Sequence, residues 1–142
     1  MKKYLIFTLA AALAIPMAKA QKLSAAQVPA AVKNSFAKAY PHQPVKWEKE
    51  KDKYEAAFKQ NGADMSVLYT GVGVMTESET DIKTTELPAP ALAYIKANMP
   101  GKRITEAAKI STVAGIVTYE AEIGGKDLIF DDKGKFLKKI KG

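Results

Sequence analysis

The sequence predicts an α+β fold built from two tandem repeats, each a helix followed by a four-stranded antiparallel sheet. Three observations predict it. One segment occurs twice at a constant spacing of 59 residues, apolar meeting apolar and proline meeting proline. Val28-Pro29 corresponds to Leu87-Pro88, Phe36 to Ile95, Tyr40-Pro41 to Met99-Pro100, and Val45 to Ile104. Behind each copy lies a two-residue turn, Asn61-Gly62 or Gly124-Gly125, of the kind that joins hairpin strands. Around both turns apolar and polar residues alternate, which is the period of a strand with one buried face. The repeats run over about residues 28–80 and 87–140.

Residues 1–20 read as a secretory signal peptide rather than as part of the fold. Lys2-Lys3 form a basic start, Tyr4 to Ile15 an apolar run too short to span a bilayer, and Ala18-Lys19-Ala20 a cleavage site. Cleavage after Ala20 places the protein in the periplasm or outside the cell and leaves no transmembrane segment. The chain has no cysteine, which excludes a lipoprotein anchor and any disulfide. The remaining residues 21–142 fit one domain with an internal duplication. A unit of about 60 residues buries only about 60% of its unfolded surface, so the repeats are expected to share a core or a continuous sheet.

Charge excludes one class of function. Removing Lys2, Lys3 and Lys19 with the leader lowers the formal charge from +7 to +4, with 19 bases against 15 acids. Bases and acids alternate, as in Lys46-Trp47-Glu48-Lys49-Glu50, and no basic stripe is interleaved with aromatics. Nucleic acid is therefore not an expected partner.

Taken in order, Gln21 to Gln27 reads as a frayed leader. The first helix opens at Pro29, where a missing N–H costs nothing, carries Val32, Phe36 and Tyr40 on one side, and stops before Pro41. Val45 to Glu50 is the first strand of repeat one. Tyr54 to Gln60 and Asp64 to Thr70 form a hairpin about Asn61-Gly62. That turn sets the register: Phe58 faces Met65, Ala56 faces Val67 and Tyr54 faces Tyr69, all on the core side. Val74 to Thr80 is a fourth strand, and Asp81 to Glu86 a polar linker.

In repeat two the helix carries Leu92, Ile95 and Met99 and ends at Pro100-Gly101. Arg103 to Ile110 is a strand, followed by a loop containing Thr112 to Gly115. Val117 to Ile123 and Lys126 to Asp131 pair about Gly124-Gly125, placing Tyr119 against Phe130 and Ala121 against Leu128. Lys135 to Ile140 is the last strand.

The hydrophobic-Pro opening of a short helix, the Tyr40-Pro41 close, Val45-Lys46-Trp47-Glu48, Tyr54-Glu55-Ala56 and the Asn61-Gly62 hairpin resemble the bacterial PepSY-like family, which is similar to the β-lactamase-inhibitor fold. The resemblance spans about Val28 to Ile140. It implies one curved sheet with the helices on one face and a concave face opposite. It also implies an exported protein without catalysis that binds, or inhibits, an envelope partner. One departure stands out. The Asp-x-x-Gly turn of repeat two, Asp131 to Gly134, is Thr70-Gly71-Val72-Gly73 in repeat one.

No motif carries chemistry. His42, the sole histidine, lies between two prolines and reads as a surface residue; nothing in the sequence supplies a zinc set or a triad around it. Asp131-Asp132 with Glu77 and Glu79 lack the ligand spacing of an EF-hand. Trp47 is either an exposed anchor or, as the more usual case, buried against the first helix. The lysines of 135–141 guard an edge strand or touch anionic lipid. No catalytic, metal or cofactor residues are assigned.

The functional candidate is instead a surface, the sheet face opposite the helices. It carries Glu55, Lys59, Ser66 and Leu68 in repeat one and Glu120, Glu122, Asp127 and Ile129 in repeat two. Leu68 and Ile129 are equivalent positions, expected to expose aliphatic side chains among charges. The expected function is a non-enzymatic exported binding module contacting an envelope or secreted protein, with inhibition of a hydrolase as one form of that contact. The alternative is a periplasmic carrier or sensor of a small ligand, held in the concave face or beneath the loop at Thr112 to Gly115.

Overall fold

The structure is a computed structural model and describes residues 20–141. The expected leader, Ala20 apart, lies outside the described residues. The chain forms two compact units, one through Thr76 and one from Glu77.

In the first unit, strand β1 (Gln21–Leu23) leads through a 3-10 turn (Ala25–Gln27) into helix α1 (Ala30–Ala39), followed by β2 (Lys46–Glu50), β3 (Lys53–Gln60) and β4 (Ala63–Thr70). The strands lie in sequence order and pair antiparallel. Pro29 caps α1 from outside, and Tyr40, forced off helical angles by Pro41, ends it. The β3–β4 register is the one the Asn61-Gly62 turn dictates: Tyr54 pairs with Tyr69, Ala56 with Val67 and Phe58 with Met65. Val32 and Phe36 of α1 pack on that face. Phe36 meets Trp47 edge-on at 5.5 Å and Phe58 at 5.1 Å, so Trp47 is buried against the helix as its usual preference suggests.

The second unit contains β5 (Met75–Asp81), a 3-10 turn (Thr84–Glu86), helix α2 (Ala89–Asn98), β6 (Glu106–Thr112), β7 (Val117–Glu122), β8 (Lys126–Asp131) and β9 (Phe136–Lys141), with β5 beginning at the unit boundary. These strands also run in sequence order and pair antiparallel. Tyr119 pairs with Phe130 and Ala121 with Leu128, again as the turn dictates. Ala91 and Ile95 of α2 cover that face. Tyr94 stacks on Phe136 at 4.5 Å and meets Phe130 edge-on.

Two sequence expectations change. Gln21 to Gln27 is not frayed. Gln21, Lys22 and Leu23 pair with Lys49, Glu48 and Trp47, and the turn after them closes when Gln27 Oε1 accepts the Ser24 N–H at 2.8 Å. The strand expected at Val74 to Thr80 runs from Met75 to Asp81, across the boundary between the units, and pairs with β6. It precedes a 3-10 turn of the same kind, in which Glu86 Oε2 accepts the Lys83 N–H at 2.7 Å. The repeat thus begins one strand earlier than its helix. The strand read at Arg103 also changes and begins at Glu106. Each unit has its own apolar cluster, because each helix covers the hairpin of its own repeat.

Candidate functional site

Directly opposed residues share a sheet face, so the registers assign the face away from each helix. In the first unit one row across that face is Lys22, Glu48, Glu55, Leu68, on β1 to β4. Ser66 lies beside it, opposite Ala57. In the second unit the equivalent row is Asp81, Ala108, Glu120, Ile129, Lys138, on β5 to β9. A neighbouring row is Glu106, Glu122, Asp127, Ile140. All eight candidate residues fall on this side, four in each unit.

Their exposure differs from expectation. Leu68 is 1% exposed and Ile129 4%, so neither is an aliphatic residue displayed among charges. Glu55 and Ser66 are each 1% exposed and Asp127 is buried, while Glu120 and Glu122 are half-buried. Of the eight, Lys59 is exposed; its Nζ pairs with Asp64 at 2.8 Å. Alternation along a strand reports which side a residue is on. It does not report whether that side is covered.

Burial changes the carboxyl chemistry. The Glu55 acid is pushed up to about 8, first by loss of solvent and then by Glu50 and Glu48; the nearby Ser66 hydroxyl works the other way. Neither Glu55 oxygen meets a donor at hydrogen-bonding geometry among the described residues, and Ser66 Oγ is likewise unmatched. Glu120 is also pushed up to about 8, by burial and then by Asp127, Glu122, Glu106 and Asp81. Asp127 is raised for the same first reason. Glu122 is better served: the Thr105 hydroxyl lies 3.0 Å from its Oε1.

Sequence reasoning did not place Glu48, Glu50, Glu77, Glu79, Asp81 and Glu106 on this face; it weighed Glu77 and Glu79 only as calcium ligands. Glu77, Glu79 and Asp81 alternate at period two, the available signal, but their side of the sheet follows only from pairing with Thr112, Ile110 and Ala108. The loop at Thr112 to Gly115, the other proposed ligand location, is a tight turn. Gly115 N–H donates to the Thr112 carbonyl at 2.9 Å, and Thr112 Oγ1 accepts from Ile116 N–H at 3.2 Å. His42 is exposed at a positive φ of 61°. Among the described residues no three His, Cys, Asp or Glu side chains are grouped to hold a metal, and no helix is long and apolar enough to cross a membrane.

Two helix-and-antiparallel-sheet units, each with a buried carboxyl on the face opposite its helix, define an α+β protein of the repeat class. The chain belongs to the PepSY-like family: a family described as "Putative beta-lactamase-inhibitor-like, PepSY-like" matches twice, over residues 15–77 and 69–138. The two matches overlap at the start of β5, the strand that ends one sequence repeat and opens the next. Solved structures share the fold. One from Bacteroides eggerthii, described among "putative periplasmic proteins", is 21% identical, with a TM-score of 0.74 over 79% of this chain and 87% of its own. A DUF2874 family protein from Bacteroides ovatus is 19% identical, with a TM-score of 0.71 over 79% and 86%. A "BLIP-like protein" from Bacteroides fragilis is 20% identical, with a TM-score of 0.63 over 81% and 88%. No curated protein matches the chain.

Proposed function

We propose that the protein is a non-enzymatic, exported binding module that contacts an envelope or secreted protein through the sheet face opposite its helices. The observation that carries this reading is the recurrence of one arrangement in both units: a glutamate directly across from a large aliphatic residue, Glu55 with Leu68 and Glu120 with Ile129. Folding alone gives little reason to repeat a carboxyl there, since removing one from water costs stability unless it is paired. Membership of a β-lactamase-inhibitor-like family supports a protein partner, and inhibition of a hydrolase is the specific form this contact would take. The periplasmic description of the Bacteroides eggerthii fold relative and the expected leader support export.

The test is affinity capture from envelope extract of the source organism, washed at moderate salt because a basic protein collects anionic contaminants that salt screens. One protein retained in near-stoichiometric amount is the expected result. Substituting the half-buried face residues Ala57→Arg and Thr118→Arg should then abolish retention without lowering the melting temperature. Retention by both variants would move the contact off this face.

A further inference from the structure

We infer that Glu55, with Ser66 beside it, is the receptor for a basic side chain, arginine or lysine, projected by the partner protein. The inference rests on the binding reading above and names the chemistry of its contact.

Glu55 sits mid-strand on β3, directly across from Glu48 on one side and Leu68 on the other. The residue is 1% exposed, and neither its oxygens nor Ser66 Oγ on the adjoining strand meets a partner at hydrogen-bonding geometry among the described residues. A buried carboxyl with only a nearby hydroxyl, outside good hydrogen-bonding geometry, forfeits its hydration for little return within the unit. Lys22, Lys46 and Lys53 share this face, and none of them bonds the Glu55 carboxyl. Lys59 pairs with Asp64, and Lys49 is on the opposite face, with its ammonium 2.8 Å from the Tyr54 hydroxyl and 4.0 Å from the ring centroid. Glu48 and Glu50, both half-buried, lie close enough to push its acidity constant up.

A guanidinium or ammonium group supplies what the niche lacks: several donors, a compensating charge, and an apolar stem to lie against Leu68. A bare metal ion does not suit it, because no three ligand side chains converge among the described residues. The same register position in the second unit is again a glutamate, Glu120, whose Oε2 is buried without a partner. The repeated carboxyl argues against an accident at one site. The raised acidity constant of Glu55 adds a signature: a cation that binds there must expel a proton near neutral pH.

The experiment uses the protein expressed with its own leader and purified from the periplasm. It is titrated with two otherwise identical apolar peptides, one carrying arginine and one its neutral isostere citrulline, with the side-chain carboxyls followed by carbon-13 NMR. The arginine peptide is expected to lower the Glu55 pKa from about 8 and to release protons, and the citrulline peptide to do neither. Glu55→Gln, which removes the charge while keeping the shape, should weaken arginine-peptide binding about 10- to 100-fold, the range for a charged hydrogen bond. Asp132→Asn, in the exposed β8–β9 turn, should leave it unchanged.

Equal binding of both peptides, or no response at Glu55 in the wild-type protein, overturns the inference, and that titration needs no variant to fold. If capture of the envelope partner survives Glu55→Gln but is lost with Ala57→Arg, the basic-side-chain receptor is wrong and the binding face stands. If the wild-type protein captures no partner, the binding-module reading fails, and the peptide titration still decides the chemistry of Glu55.

Discussion

The turn that follows the third strand of each sequence repeat has the same backbone and different chemistry. In the first unit Thr70 Oγ1 accepts one N–H, from Val74 at 3.2 Å. In the second, Asp131 Oδ1 accepts two, from Lys133 at 3.0 Å and Lys135 at 2.8 Å. Each turn ends in a glycine with φ of +84° that presses on the helix of its own repeat. A Cβ on Gly73 would lie 2.5 Å from the Ala31 carbonyl oxygen, and one on Gly134 2.8 Å from the Ala91 nitrogen. The glycine is retained because the helix leaves no room for anything larger. The acid is replaceable because a hydroxyl accepts enough to hold the turn. Between the two turns, packing against the helix is the constraint and polar detail is the variable.

The sheet faces differ in the same way. Both rows keep a glutamate across from an aliphatic residue, but their flanks change from Lys22 and Glu48 to Asp81 and Ala108. On this face of the first unit acids and bases are mixed, with Lys22, Lys46, Lys53 and Lys59 against Glu48, Glu50, Glu55 and Asp64. The second collects Glu77, Glu79, Asp81, Glu106, Glu120, Glu122 and Asp127 on one side. Duplication therefore preserved the central pair and let the surrounding charge diverge.

Four measurements would break or sharpen this comparison. The largest effect is expected in the cores. Phe36→Ala removes the ring that contacts Tyr40, Trp47 and Phe58 and should cost about 3–5 kcal/mol by chemical denaturation; Ile95→Ala, at the matching position, should cost about 2–5 kcal/mol. An equal small loss at both would mean that the helices contribute little to either unit. Next, Gly73→Ala and Gly134→Ala should each cost about 2–4 kcal/mol, from left-handed strain plus collision with the helix. Gly62→Ala shares the positive φ but faces open space, so it should cost only about 1–2 kcal/mol. Matching losses at all three would remove the helix contact from the explanation.

The third measurement is stability against pH. Glu55 and Glu120 stay protonated in the folded protein up to about 8, whereas in the unfolded chain they ionise near 4.5. The folded state therefore holds more protons over this window. Stability should be greatest below pH 4.5 as far as these groups are concerned and should fall as pH rises to about 8. The double variant Glu55→Gln with Glu120→Gln should flatten that slope; an unchanged slope would assign it to other groups. The smallest effect is expected from Thr70→Asp, which gives the first turn the second acceptor bond of the other and should add roughly 0.5–1 kcal/mol. A loss instead would show that the two turns are not interchangeable.

Much of this was legible in the sequence because it is local. Asn61-Gly62 and Gly124-Gly125 need two residues and positive φ, and each then dictates every pair along its hairpin. Pro41 and Pro100 bound the helices, and the 59-residue spacing gives the duplication. The acidic character of the candidate face was half visible. Glu55 and Glu120 follow from the hairpin registers, whereas Glu48, Glu106 and the β5 acids join them only through strands whose partners no short turn specifies.

By itself, then, the chain determined two helices, two hairpins with their registers, and which side of each hairpin is the core. Tertiary structure decided that Gln21–Leu23 is a strand, that β5 pairs with β6, and that Leu68, Ile129 and Glu55 are buried rather than displayed. The physical reason is separation along the chain. A turn and a period-two pattern act over a few residues, whereas a lone strand finds its place, and a sheet face its cover, only through segments far away in sequence.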